Sequence, residues 1–216
     1  MSEEPKQGGY ISQAWLVILL ALLYGGALAG VQTTLGPIIE ENKKNETYSV
    51  IPELIEGAVK ENTEEIDVVG ENGKRQRVYK ALGEDKQLKG WLLAASGQGF
   101  ADKIDVLVGL NADLSTITGI YVLDQKETPG LGNFIIDPPF RDQFAGKSCL
   151  EPVQVVKAGP VDGNQIVALS GATISSESVA TIVNKGIANL RGPIDKLAAE
   201  GPSEEANTPP EDPAKK

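Results

Sequence analysis

The chain has no histidine among its 216 residues and a single cysteine, Cys149. Without histidine there is no Ser-His-Asp triad, no Cys-His pair and no imidazole general base. One cysteine cannot close a disulfide within the chain, and the usual ligand sets for zinc, haem or an iron–sulfur cluster are missing. Positive charge is also scarce, with 20 Lys and Arg against 30 Asp and Glu, a formal net charge of -10. Nucleic acid, which would need a basic stripe, is excluded as a partner. Any redox chemistry here therefore comes from an organic cofactor. No catalytic side chain and no metal ligand set is assigned.

One long apolar run breaks the polar pattern. Residues 14–31, AWLVILLALLYGGALAGV, are apolar or small throughout and carry no charge, the length at which a spanning helix becomes the first reading. A cleaved signal peptide is the rival, because Ala27-Leu28-Ala29 before Gly30 has the small residues of a cleavage site. The leader MSEEPKQGGY has two glutamates and one lysine, which is not a positive n-region and favours a retained anchor. Lys6 on one side and Lys43 and Lys44 on the other give a charge difference that, alone, favours the large domain inside.

Downstream, residues 35–62 read as an amphipathic helix interrupted at Pro52. Short strands fit residues 77–82 and 90–95. The clearest strand is DKIDVLVGL, with Ile104, Val106, Val108 and Leu110 on one alternating face. Asn111-Ala112-Asp113 turns the chain, residues 117–123 return as a partner strand, and residues 152–157 fit another. Val179, Ile182, Val183, Ile187 and Leu190 mark one face of a helix beginning near Glu177. The fold class is α+β: a single N-terminal transmembrane helix, then an antiparallel sheet with flanking helices, since crossover helices do not alternate with strands. The expected divisions are a leader (1–13), the transmembrane helix (14–34), a helical stalk with the first strands (35–89), a cofactor-binding domain (90–195) and a disordered acidic, Pro-rich tail (196–216).

Two segments carry the chemistry. Leu169-Ser170-Gly171-Ala172-Thr173-Ile174-Ser175-Ser176 precedes a helix, and Ser175 or Ser176 could serve as its N-cap. Gly171 and Ala172 clear space beside a hydroxyl, and a helix start is a natural seat for a phosphate. Glu127-Thr128-Pro129-Gly130-Leu131-Gly132-Asn133-Phe134 follows a strand; Pro129 and Gly130 fix a turn, and the glycines let backbone approach a ligand. Gly97-Gln98-Gly99-Phe100 is a third glycine loop. It lacks the third glycine and following helix of a dinucleotide fingerprint, so it marks no nicotinamide site.

Ser170-Gly171-Ala172-Thr173 downstream of Glu127-Thr128-Pro129-Gly130-Leu131-Gly132 resembles the FMN-binding domain of the RnfG and NqrC families, over about residues 35–191. These are subunits of ion-translocating Rnf complexes and of sodium-pumping NADH:quinone oxidoreductases. The resemblance implies FMN as cofactor, esterified through its phosphate to Thr173 by a dedicated flavin transferase. It implies that Ser170, Gly171, Ala172, Ser175 and Ser176 frame the attachment point. Glu127, Thr128, Gly130, Leu131 and Gly132 would form the loop against the flavin, and Gly97, Gly99 and Phe100 the glycine-aromatic loop. The function implied is an electron-transfer subunit rather than an enzyme by itself, with the other membrane and redox subunits of an Rnf-type ferredoxin:NAD complex as partners. The shorter chain favours RnfG over NqrC. The resemblance places the protein in the inner (cytoplasmic) membrane with its large domain on the extracytoplasmic side. The pattern departs at one point. The families place an aspartate six residues before the acceptor threonine; here that residue is Val167, with Asp162 the nearest acid upstream. Noncovalent FMN at the same helix start, a stand-alone anchored FMN reductase and a flavin-free binding or scaffolding module are the alternatives.

Overall fold

The computed structural model describes residues 10–159 and 161–200. Most of the expected leader and the tail from residue 201 onward lie outside the described residues. The chain divides into two compact units at Glu46/Thr47.

Helix α1 runs from Tyr10 to Leu54, and residues 14–31 offer no breaker beyond Gly25, Gly26 and Gly30. Leu16, Leu22, Leu23, Tyr24 and Leu28 are all exposed along it among the described residues. Among the described residues this is the one helix long and apolar enough to cross a membrane, by length and composition. About 20 residues at ~1.5 Å each span the ~30 Å hydrocarbon layer. The break expected at Pro52 is not there: Pro52 sits in the last turn, and the helix ends after Leu54. Gly57, at φ 76°, then turns the chain, as glycine commonly does just past a helix C-terminus.

The second unit is built on a five-stranded antiparallel meander of β1 (Glu64–Val69), β2 (Arg75–Leu82), β3 (Leu88–Gln98), β4 (Lys103–Asn111) and β5 (Ile117–Asp124), in that spatial order. The boundary expected at residue 90 falls inside β3, and the sheet continues across it. β4 carries the predicted face of Ile104, Val106, Val108 and Leu110, which joins Val78, Trp91 and Leu93 in one buried core. Its opposite face is buried too. Leu107, with Leu92 and Tyr79, packs on Val50, Ile51, Leu54 and Ile55 from the end of α1. A sheet covered on both sides has a near-continuous apolar central strand, and VLVGL is that run.

β1 has no counterpart among the expected strands. Its sequence EEIDVV is half charged, and Glu64 lies opposite Lys80 at 3.7 Å, while Glu65 reaches Arg77 at 3.6 Å. Opposite charges across strands guide the pairing of an otherwise polar edge, while keeping that edge unattractive to other chains.

After β5 come the short helix α2 (Pro138–Arg141) and two 3-10 turns, whose Phe140 and Phe144 stack edge to face at 5.7 Å. Two three-residue strands, β6 (Gln154–Val156) and β7 (Gln165–Val167), pair in parallel. The closing helix α3 spans Thr173–Glu200, past the domain end expected at 195. Its Val179, Ile182, Val183, Ile187 and Leu190 pack on the Trp91 face of the sheet. Gly97 lets it come close: a Cβ there would stand 2.6 Å from Ile182 Cγ1.

The helix start near Glu177, with Ser175 or Ser176 as cap, is corrected by four residues. The physical reason is local. Ala172 N–H donates to the Leu169 carbonyl (3.0 Å), closing a turn with Gly171 at φ 77°. Ser176 is fully buried inside the first helical turn, where its hydroxyl donates to the Ala172 carbonyl and accepts from Leu169 N–H, both at 3.0 Å.

Candidate functional site

Three loops meet at the start of α3. The first, residues 99–102, turns β3 into β4, with Gly99 N–H donating to the Asp102 carbonyl at 2.8 Å. The second follows β5. There Leu131 N–H and Asn133 N–H both reach the Thr128 carbonyl (3.2 and 3.3 Å), and Gly130 has φ 77°. Proline at the first central position and a positive-φ glycine at the next are the chemistry of a type II turn. The third is the Leu169–Ala172 turn into Thr173.

Glu127 ties all three together. It is 4% exposed. Its Oε2 accepts from the Ser175 hydroxyl at 2.5 Å, and its Oε1 accepts from Ala101 N–H at 3.1 Å. Glycines make room around it. A Cβ at Gly132 would lie 2.6 Å from Ser175 Oγ and 3.0 Å from Glu127, and one at Gly99 would collide with Glu127 Oε1.

The three loops enclose a cavity of about 410 Å³. Phe100 comes from the first loop, Thr128, Leu131 and Gly132 from the second, and residues 171–175 from the third. Thr173 is the first residue of α3, its side chain half-buried. The first intrahelical bond runs from Ser176 N–H to Ala172, so the Thr173, Ile174 and Ser175 N–H groups precede it and mark the positive end of the helix dipole. Phe100, Leu131 and Ile174 are 60%, 44% and 54% exposed, which gives the mouth an apolar rim. None of the residues lining the cavity is Lys or Arg.

Of the residues singled out in the sequence, Thr173, Gly171, Ala172, Ser175, Thr128, Leu131, Gly132 and Phe100 line this one space. Glu127 lies directly behind its wall. Ser170 is exposed beside it and Ser176 is buried beneath it, while Gly97, Gly99 and Gly130 shape the loops without lining the cavity. Ile174 is the lining residue that sequence reasoning missed. Its signal is that it falls out of phase with the buried stripe that begins at Val179.

Val167, the departure from the resemblance, lies on β7. Its N–H donates to Gln143 Oε1 at 2.7 Å, and its carbonyl accepts from Gln143 Nε2 at 3.2 Å. Asp162 is an exposed loop residue five positions earlier. A second groove of about 440 Å³ follows the later part of α3 and includes Cys149 and Arg191. Burial pushes the Cys149 thiol up to about 11, so it stays protonated and unreactive at neutral pH. No segment chosen for its chemistry lines that groove.

Residues 99–188 match the FMN-binding domain family. A component of the ion-translocating oxidoreductase complex of Methanosarcina acetivorans is 34% identical over 109 residues, covering 50% of this chain and 55% of that protein. A component of the Na(+)-translocating ferredoxin:NAD(+) oxidoreductase complex of Acetobacterium woodii is 43% identical over 90 residues, 41% of this chain and 42% of its own length. The chain thus spans about half the length of these curated relatives. The crystal structure of Shewanella oneidensis NqrC superposes with a TM-score of 0.54 at 26% identity, covering 59% of this chain and 63% of that one.

Proposed function

We propose that this chain, whose residues 99–188 match the FMN-binding domain family, is an electron-transfer subunit of a membrane ion-translocating oxidoreductase, with FMN esterified to Thr173. The observation that carries the proposal is the convergence of Thr173, the Thr128–Gly132 turn and Phe100 on one cavity at the start of α3. FMN supplies one- and two-electron chemistry; the protein supplies its position and surroundings. The N–H groups of the first turn of α3 would hold the phosphate, and Thr173 Oγ1 would be the ester oxygen. Thr128, Gly130, Leu131 and Gly132 form the loop beside the flavin. Phe100, Leu131 and Ile174 offer apolar surface that would suit the ring. Ser170, Gly171 and Ala172 shape the turn that presents the acceptor hydroxyl, and Ser175 and Ser176 fix the first helical turn behind it.

A magnitude favours the ester. A helix terminus stabilises an anion by about 0.3–1 kcal/mol, up to ~2 when partly buried. With no cationic side chain in the lining, phosphate recognition alone is a weak hold, and a covalent bond made by a flavin transferase removes that weakness. Intact mass and in-gel fluorescence of the denatured protein test this. Flavin released entirely on denaturation would leave only a noncovalent site, and protein that never carries flavin would remove the functional reading.

Val167→Asp restores the acid that the resemblance calls for. When the transferase is limiting, the modified fraction measured by mass should rise in this variant; an unchanged fraction would mean that position does not govern modification here. Gln143 clamps the backbone at residue 167, so the substitution changes a side chain rather than the strand.

The anchor reading predicts that the protein stays with membranes through a high-salt wash, since residues 14–31 carry no charge for salt to compete with. N-terminal sequencing that begins at Gly30 would sink it. A single span with no internal charge offers no ion path, so ion movement belongs to other subunits. For sidedness, a Ser203→Cys label should react with an impermeant maleimide in intact cells, placing the domain outside the cytoplasm. Cys149 is buried and protonated and will not compete for the reagent.

A further inference from the structure

We propose that Glu127 is a specificity-determining residue that makes the site discriminate against free FMN and in favour of the esterified cofactor; this rests on the reading of Thr173 as the attachment point. Glu127 is nearly completely buried, and both of its oxygens act as acceptors, one from the Ser175 hydroxyl and one from Ala101 N–H. Both contacts are of the kind a carboxylate accepts. No Lys or Arg is paired with it among the described ion pairs. Its position is fixed relative to the cavity. Ser175 and Gly132 both line the space, and the carboxylate touches the first and lies 3.0 Å from where a Cβ of the second would be.

A buried negative charge thus stands behind the helix terminus that faces the phosphate. Carboxylate and phosphate repel each other across a partly desolvated wall, and the helix dipole must offset that repulsion. The charge on the phosphorus decides the balance. A phosphate monoester carries about -1.5 to -2 at neutral pH, whereas a diester through Thr173 has one ionisable oxygen fewer and carries a single negative charge. The repulsion from Glu127 therefore falls on the free nucleotide about twice as heavily as on the attached one. Glu127 serves two ends with one side chain: it fastens the three loops, and it lowers the affinity for unattached FMN without expelling the ester.

The test uses the full chain with Thr173→Ala, which cannot be esterified, titrated with FMN and with riboflavin, which has the same ring and no phosphate. In this background Glu127→Gln keeps the shape. Its amide oxygen can accept from Ala101 N–H, and its amide nitrogen can donate to Ser175 Oγ. We expect Glu127→Gln to tighten FMN by roughly tenfold, a modest unit-charge interaction across a protein wall, and to leave riboflavin unchanged. Ser175→Ala removes a hydrogen bond and keeps the charge, so it should shift FMN and riboflavin equally. Equal shifts for both ligands in Glu127→Gln, or none for FMN, would overturn the proposal and leave the site reading intact. Failure of every variant to bind either ligand would remove the site reading itself, and the proposal with it.

Discussion

Thr173→Ala should abolish every trace of flavin that survives denaturation while leaving the domain folded. Thr173 is the first residue of α3 and its side chain is half-buried, so the substitution deletes a hydroxyl and a methyl at the edge of a cavity, not a core group. Alanine is the best helix former, and the first helical position has no intrahelical N–H bond to lose. The expected cost is within about 0.5–1 kcal/mol, a shift of a few degrees in Tm for a domain of this size. The expected signal is all or none: no in-gel fluorescence and a mass without the FMN adduct. Ser170→Ala is the companion. Ser170 is exposed and does not line the cavity, so that variant should keep its covalent flavin. Covalent flavin persisting in Thr173→Ala would move the attachment to another hydroxyl, with Thr128 in the cavity lining and Ser170 beside it as the exposed candidates.

The parts of this fold that could be read from sequence are those in which burial follows a local period. Ile104, Val106, Val108 and Leu110 alternate because one face of β4 meets α3, and the stripe from Val179 to Leu190 has helical spacing because it meets the sheet. β1 escaped because its pairing rests on charges whose partners lie on another strand, Glu64 with Lys80 and Glu65 with Arg77. The start of α3 was misplaced because two adjacent serines have the chemistry of a cap. What ends the loop is instead the turn at Gly171; Ser176 bonds back to Ala172 and Leu169, and Ser175 is drawn inward by a partner that local sequence does not reveal. Ser175 meets Glu127 across 48 residues and Ala101 meets it across 26. The motifs alone thus indicated the place, while the role of Glu127 as the junction of three loops required the tertiary structure. The same holds for the absence of basic residues around the cavity, since Lys103 and Lys126 are near it in sequence but do not line it.

Gly99→Ala should damage the site more than any exposed substitution nearby, because the new methyl has nowhere to go. It would lie 2.7 Å from the Asp102 carbonyl oxygen and 2.7 Å from Ile104 Cδ1, and it would also collide with Glu127 Oε1. The first of these is backbone, held by Gly99's own N–H at 2.8 Å. The second belongs to a side chain with 0% exposure in the central core, which cannot retreat without disturbing its neighbours. The third could move only by surrendering the Ala101 or Ser175 hydrogen bond. Overpacking of this kind costs roughly 1–3 kcal/mol, a large share of the ~5–15 kcal/mol that holds a domain together. A Tm lower by about 4–8 °C should follow. The function should suffer further than the fold, because Phe100 is the next residue and lines the same cavity as Thr173. Flavin content per folded protein, measured by absorbance after removal of aggregates, should fall by half or more. Gln98→Ala, at an exposed position one residue earlier, should leave both quantities within error of wild type. Wild-type Tm and full flavin content in Gly99→Ala would mean that the 99–102 turn yields freely, and Glu127 could not then be the rigid junction on which the arrangement of the three loops depends.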